Sequence, residues 1–448
     1  MPRKKGETAI QAAVEVQESQ FGDVTVENAQ ITAETEPTED TEKAAKTKKP
    51  RVSQPKKKVT LAIDAARSTK KYIAFLDGKA VTDVIRSDSL ICQVDSSPFG
   101  ELGSFSMSRG KGEDGKELIE HWVVGDSARF QGKPYIAMTD DPNHKITYFP
   151  ILLLGALARL HTLYDLSSGA SEKNRSLYLQ LTTLSLAHPS QLFESVKQIK
   201  WLKVDGIKYK LNFDKAGFTG LPEGYGAALH AQQQLDKLKH PTFYVFDIGF
   251  GTSTVTEYSN LGKLPKRGAC TPNGGGGIAT LIREFAEATS QKDSSKLIKS
   301  SQLRKVLETS EWQNEKPIAK APDGSEIGDV LAIAIKNWLR DSPVAYALES
   351  LSVIGRQHPI VVAGGGFSIP PVREMVQAEL FKAGVPKDNL IIPENPGIVS
   401  LAELKRLYAT NPEQAPELET LEDREALIDQ SAIDPLNAGD ISNEQKAA

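Results

Sequence analysis

Apolar and polar positions alternate through much of the stretch from Val59 to about Arg129, and alternation with a period of two predicts a run of strands. Val59–Ile63 is an apolar strand ending in Asp64, and Lys71–Leu76 runs back from the turn that follows. His121–Val124 closes the series ahead of Gly125, Asp126, Ser127 and Ala128. The pattern then changes. The apolar run Ile151–Leu154 continues at Leu157 and Leu160, which predicts a largely buried helix from Tyr148 to about Tyr164. Ser176–Thr182 is predicted as a central strand, Gln191–Lys197 as a helix after Pro189, and Asp205-Gly206 as a hairpin turn. Leu221–Leu229 opens the next helix, and Val245–Ile248 is a second apolar strand, this one containing Asp247. A strand near Leu264 and the glycine run Thr271–Gly277 lead into a helix from Ile278. Residues 290–355 are predicted as mainly helical, clearest at Ile327–Leu339. Pro359–Ala363 is a strand that runs into Gly364, Gly365, Gly366 and Phe367, and helix Val372–Lys382, strand Asn389–Ile392 and helix Pro396–Tyr408 follow.

At 448 residues the chain is long enough for two domains, each with its own core. With 39% hydrophobic and 25% charged residues it has a soluble globular composition, and a net charge of −4 argues neither for nor against nucleic acid as a partner. Two cysteines, Cys92 and Cys270, exclude a thiolate zinc cluster and a disulfide framework, so a reducing cytoplasm is expected. The longest apolar run, Ile151–Leu157, is far short of a membrane span, and no hydrophobic segment follows the basic start as in a secretory signal. Residues 1–57 and 411–448 are expected to be disordered tails, the second strongly acidic. The first ends in the basic stretch Lys46–Lys58, either a solvated tail or a weak, direct phosphate contact with DNA; no aromatic residue is interleaved to stack on bases.

Chemistry concentrates at Asp247-Ile248-Gly249-Phe250-Gly251-Thr252. A strand that ends in a carboxylate and turns through bare glycines can bring backbone N–H groups around a phosphate, with the carboxylate holding a metal-bound water beside it. The same sequence also suits a plain hairpin. Asp64 with its following strand, and the strand-to-helix turn Gly364–Gly366, repeat the theme on either side of it. Two Asp-ended hairpins followed by a strand, a triple glycine and a helix, in that order, resemble the actin-like ATPase superfamily. Val124–Ala128 and the region from Thr182 to Pro222-Glu223 bring the resemblance closest to the ParM/StbA-like plasmid-segregation actins, over about Val59 to Tyr408.

The resemblance implies an α/β actin-like ATPase fold: two related domains of mixed sheets flanked by helices around a nucleotide cleft. Residues 58–221 would form the first domain, with helix 396–410 returning to it, and residues 222–395 the second. ATP, with GTP open as an alternative, and Mg²⁺ are the implied cofactors. Asp64 and Asp247 would hold the magnesium ion through water, and Glu223 would orient the attacking water. Ser68, Thr69, Lys71, Gly249, Gly251 and Thr252 would surround the phosphates. The turn of Gly276 and Gly277 would bring a helix N-terminus toward the nucleotide, unless that run is a flexible link. Gly364, Gly365, Gly366 and Phe367 would lie beneath the adenosine. The implied activity is ATP-driven polymerisation of identical subunits that moves or positions DNA, with an adaptor protein joining filament ends to centromere-like plasmid DNA, and no membrane.

The first hairpin departs from that pattern. Ala66 stands where these families have glycine, and Arg67 where a small hydroxyl contacts the γ-phosphate. The guanidinium would either clamp the phosphate or crowd it and slow hydrolysis. Phe250 likewise replaces a small or acidic residue. The alternative that follows is a nucleotide-binding scaffold or regulator that hydrolyses ATP weakly and does not polymerise.

Overall fold

A computed structural model describes residues 57–166, 175–292 and 298–410. Strands β1 (Lys57–Ala65) and β2 (Thr69–Leu76) form the first hairpin, followed by β3 (Lys79–Ala80), β4 (Ile85–Asp88), β5 (Leu90–Val94), β6 (Ser104–Lys111), β7 (Glu117–Val124) and β8 (Ile136–Ala137). Helices α1 (His144–Thr147) and α2 (Phe149–Tyr164) precede β9 (Ser176–Leu184), α3 (Pro189–Lys197), β10 (Trp201–Val204) and β11 (Ile207–Leu221). These strands make one 11-stranded sheet in the order β3-β2-β1-β9-β11-β10-β6-β7-β5-β8, with β4 added to β2.

Helix α4 (Tyr225–Gln234) leads to β12 (Thr242–Ile248), β13 (Thr252–Ser259), β14 (Lys266–Gly274), α5 (Ile278–Lys292) and α6 (Ser300–Glu308). Then come β15 (Glu311–Gln313), β16 (Lys316–Ile318), α7 (Gly328–Asp341), α8 (Val344–Ile354), β17 (Ile360–Ala363), α9 (Pro370–Lys382), β18 (Leu390–Ile391) and α10 (Val399–Thr410). The second sheet runs β14-β13-β12-β17-β18. Its strand senses repeat those of β3-β2-β1-β9-β11: two antiparallel pairings, then two parallel ones. The hairpins ending in Asp64 and Asp247 thus occupy equivalent places in two units of one design.

Helix α2 is apolar on nearly every side because it lies inside the first core, against Leu61, Ile63, Leu181 and Phe218. The second core gathers Phe246, Phe285, Trp338 and Phe367 between the smaller sheet and its helices. A third cluster joins the halves, with Ala62, Ile73 and Leu221 of the larger sheet, Val245 and Val361 of the smaller, and Ala227, Leu401 and Leu404 of α4 and α10. Those helices touch at the backbone: a Cβ on Gly226 would stand 2.1 Å from the Ser400 carbonyl oxygen.

The predicted elements recur with shifted ends and two differences. The strand expected near Leu264 begins at Lys266 and takes in Thr271–Gly274, so the first part of the glycine run is sheet, not linker. The stretch expected as mainly helical holds the hairpin β15–β16, whose turn uses Asn314 and Glu315 at φ 50° and 61°. Without glycine there, the hairpin gave no turn signal. The expected tail 1–57, apart from Lys57, and the acidic stretch 411–448 lie outside the described residues, while Lys57 and Lys58 of the basic stretch open β1. No helix among the described residues is long and apolar enough to cross a membrane.

Strand alternation sends Lys70 and Lys71 to opposite faces of β2. Lys71 faces the cleft described below, and Lys70 is buried against α2, its Nζ donating to the Leu152 carbonyl at 3.3 Å and lying 5.8 Å from the Tyr72 ring centroid. Burial, helped by Arg159 and opposed by Asp126, holds the Lys70 ammonium down to about 7. The folded chain therefore binds fewer protons than the unfolded chain between about pH 7 and the ordinary lysine value, and this group's contribution to stability rises with pH across that window. Relative to Lys70→Met, the unaltered protein should gain about 2 kcal/mol between about pH 7 and about pH 9. Urea denaturation of both proteins at several pH values measures this, and parallel curves would show that Lys70 does not titrate in that range.

Candidate active site

Strand registry sets the site. Asp64 lies opposite Lys71 on β2 and beside Leu184 on β9, and Leu184 is level with Leu221 at the end of β11. Glu223 follows two residues later. In the smaller sheet Asp247 lies opposite Thr254 and beside Ala363, the last residue before the Gly364 turn. All three carboxylates therefore come from the carboxyl ends of parallel strands, where open α/β sheets bind their ligands. A cleft of about 460 Å³ opens there, walled by Asp64, Lys71, Glu223 and Asp247 together with the backbone of Gly249 and Gly364–Gly366. Ser68 and Thr69 also line it.

The charges are arranged in pairs. Lys71 Nζ is 3.5 Å from Asp64 Oδ2, and Lys145 donates to Glu223. These four side chains are only 13–20% exposed, so each charge is felt by the others through little water. Burial, with Glu223 and then Asp64 adding to it, pushes the Asp247 carboxyl up to about 7 against the opposing pull of Lys71 and Lys145. Burial also raises Asp64, which Lys71 and Lys145 oppose and Glu223 reinforces. For Lys145 burial acts to lower the ammonium, but Glu223, Asp64 and Asp247 outweigh it and hold it above the ordinary lysine value. Three acids thus face two lysines.

Asp247 is held between glycines. A Cβ on Gly364, at φ 93°, would stand 2.4 Å from Asp247 Oδ1, and one on Gly224, at φ 79°, would stand 2.9 Å from Val245 and 3.6 Å from Asp247 Oδ2. Gly365 has no atom within 4 Å of its Cβ position. There the wall is bare backbone.

The other expected residues are placed differently. Arg67 turns along the cleft edge: Nη2 donates to the Thr139 carbonyl at 2.9 Å and Nε to that of Met138 at 3.4 Å. Its guanidinium lies over Gly251, where a Cβ would come within 2.3 Å of Nη1. Thr252 closes the second hairpin by accepting from the Gly249 N–H at 2.9 Å. Gly276 and Gly277 sit behind that hairpin, and a Cβ on Gly277 would meet the Phe250 carbonyl oxygen at 2.5 Å. This close fit lets Ile278 N–H donate to the Gly249 carbonyl and Ala279 N–H to that of Phe250. The first amides of α5 are therefore spent on the hairpin itself. Phe367 is fully buried, edge-on to Phe246 at 5.3 Å between centroids, in the core beneath the glycine turn.

Lys145 is the residue that sequence reasoning missed. It sits on the single turn α1, after Pro142, in a stretch without periodicity or motif. Arg86 and Asp88 of β4 and Arg304 and Glu308 of α6 also line the cleft and carried no signal.

The donor set suits a hydrated magnesium ion. Asp64, Glu223 and Asp247 offer carboxylate oxygens in one cleft, the donor type that pairs with the water shell of such an ion.

No family model matches the sequence, and no curated protein matches it. Solved structures do. The archaeal actin homologue Ta0583 matches at TM-score 0.52 and 13% identity, over 80% of this chain and 100% of that one. A 15-stranded ParM filament from Clostridium botulinum matches at TM-score 0.53 and 16% identity, over 79% of this chain and 99% of that one. Bacillus thuringiensis ParM with ADP matches at TM-score 0.50 and 12% identity, over 79% and 99%. With two hairpins of one design meeting at one cleft, and these neighbours spanning about four-fifths of it, the chain has an actin-like fold close to that of ParM.

Proposed function

We propose that this chain is an actin-like ATPase of the plasmid-segregation type, whose nucleotide-driven polymerisation moves or positions DNA through an adaptor bound to a centromere-like sequence. The observation that carries the proposal is the convergence of Asp64, Glu223 and Asp247 with Lys71 and Lys145 in a glycine-walled cleft where two equivalent hairpins meet. Among proteins of this fold, one ParM has been solved as a filament and another with ADP. Head-to-tail contacts between identical subunits give open filaments when the rotation does not close.

Magnesium ATP, or GTP, would supply the phosphoanhydride and the cation. Asp64 and Asp247 would hold that cation through its water shell, each held in place by its hairpin. Lys71, paired with Asp64, would neutralise phosphate oxygens. Glu223 accepts from the attacking water and orients it, and the Lys145 ammonium fixes where that carboxylate points. The bare backbone at Gly365 gives the nucleoside a flat wall.

One observation favours the alternative of a scaffold that hydrolyses weakly and does not polymerise. Arg67 is engaged by the Met138 and Thr139 carbonyls and covers Gly251, between the two hairpins that would grip the phosphates.

Sedimentation across a concentration series with magnesium and ATP, GTP, ADP or no nucleotide decides between them. Pelleting that needs a nucleoside triphosphate and begins at a threshold is expected, whereas a soluble chain at every concentration supports the scaffold. Glu223→Gln should lower phosphate release about 100-fold and Lys145→Met about tenfold, with nucleotide still bound; turnover unchanged in both variants would remove the pair from the chemistry. Arg67→Ser should change turnover severalfold, and an unchanged rate would leave Arg67 a purely structural link.

A further inference from the structure

Strands β12 and β13 carry the second hairpin at one end, and at the other Thr242 pairs with Ser259. The segments flanking that far end are 235–241, after α4, and 260–265, before β14. They are tied together: Lys237 Nζ donates to the Gly262 carbonyl at 2.6 Å, Gln232 Nε2 to the same oxygen at 3.5 Å, and Asn260 N–H to the Pro241 carbonyl at 2.8 Å. This brings Leu238, 91% exposed and the most exposed large apolar side chain among the described residues, beside the turn that carries Leu261, 67% exposed. Lys237, Lys239, Lys263 and Lys266 are exposed around them, and Asp236 is the one acid in segments 236–240 and 261–266. Two exposed leucines inside a ring of lysines form a surface for an acidic, leucine-bearing segment.

The chain carries such a segment after α10. Helices α4 and α10 both start at the cleft and run side by side away from it: Gly226 touches Ser400, His230 Nδ1 is 3.0 Å from Glu403 Oε1, and Gln233 Nε2 donates to Glu403 Oε2 at 3.1 Å. Helix α4 then ends at Gln234 and enters the lysine loop, while α10 continues for seven residues past Glu403, roughly 10 Å, to Thr410. Residues 411–429 hold Glu413, Glu417, Glu419, Glu422, Asp423, Glu425 and Asp429 against one base, Arg424, with Leu418 and Leu421 among them. The last turns of α10 lie on the larger sheet, with Lys405 donating to Asp83 and Tyr408 meeting Thr182, and the eight residues from Thr410 to Leu418 can span up to about 27 Å.

We propose that residues 411–429 dock in cis on this patch, Leu418 and Leu421 covering Leu238 and Leu261 while the carboxylates meet Lys237, Lys239, Lys263 and Lys266. The docked segment shields this face from a second copy of the chain. That consequence for assembly rests on the polymerising function proposed above; the docking does not.

Zero-length carbodiimide cross-linking of the dilute full-length protein, with peptide mapping of the monomer band, tests the contact directly. Expected are intrachain links from acids between Glu413 and Asp429 to the four lysines, weakened at high salt and reduced at least threefold in the double variant Leu418→Ser/Leu421→Ser. Links confined to the basic stretch Lys46–Lys58, links only between chains, or an unchanged yield in the variant would each overturn the docking. In the sedimentation assay the same variant should pellet at a lower threshold. If the intrachain links are found but no chain pellets with any nucleotide, the docking stands and the polymerising function fails.

Discussion

The cleft depends on strand ends being held level. Parallel pairing of β1 with β9 and of β9 with β11 sets Asp64, Leu184 and Leu221 in one row, and pairing of β12 with β17 sets Asp247 beside the Gly364 turn. A slip of one residue in any of these ladders would send every side chain of that strand to the opposite face. Lys70 and Lys71 show how sharp the division is, one sealed against α2 and the other in the cleft beside Asp64. The large apolar investment behind the sheets, α2 above all, keeps that registry fixed and so lets acids stand close enough to disfavour one another's ionisation. That crowding is built into the backbone arrangement and cannot relax away.

The two halves share an apolar cluster. Gly226 allows α4 and α10 into backbone contact, and α10 returns from the end of the smaller sheet to the larger one, where the Tyr408 hydroxyl meets Thr182 Oγ1 of β9. Since α4 begins just after Glu223 and α10 just after the cleft-lining segment Pro396–Ile398, a change in how these helices cross would move both walls together. The two walls of the cleft are thereby mechanically linked through the contact of α4 with α10. This is a physical route by which an occupied site could alter surfaces far from it.

Most of the fold was legible because its signals are local. Apolar runs ending in Asp64 and Asp247, the glycines after Ala363, the unbroken apolar helix α2 and the Asp205-Gly206 turn each state their conformation within a few residues. The site was legible where it is made of strand ends and glycines. It was not legible where a lone side chain arrives from elsewhere: Lys145 reaches Glu223 from one isolated helical turn 78 residues earlier. Nor does sequence say which way a long side chain turns, so Arg67 could be placed at the hairpin but not against Met138 and Thr139. Gly276 and Gly277 were visible as a turn before a helix, but whether the helix amides face a ligand or a neighbouring carbonyl is a tertiary fact.

The unusual first hairpin makes sense when both hairpins are considered together. Ala66 stands where these families have glycine, yet no residue from Ala65 to Ser68 is among those with positive φ, so the turn asks for no left-handed position and alanine costs it nothing. Gly249 and Gly251 are not among them either. What Gly251 contributes is an absent side chain, and the space it leaves is taken by the Arg67 guanidinium. Arginine in one hairpin and glycine in the other are thus two parts of a single contact across the site. A small hydroxyl at position 67 would leave that contact empty, and any side chain at position 251 would expel the guanidinium. Arg67 thus ties the two hairpins and the segment leading to Lys145 into one unit.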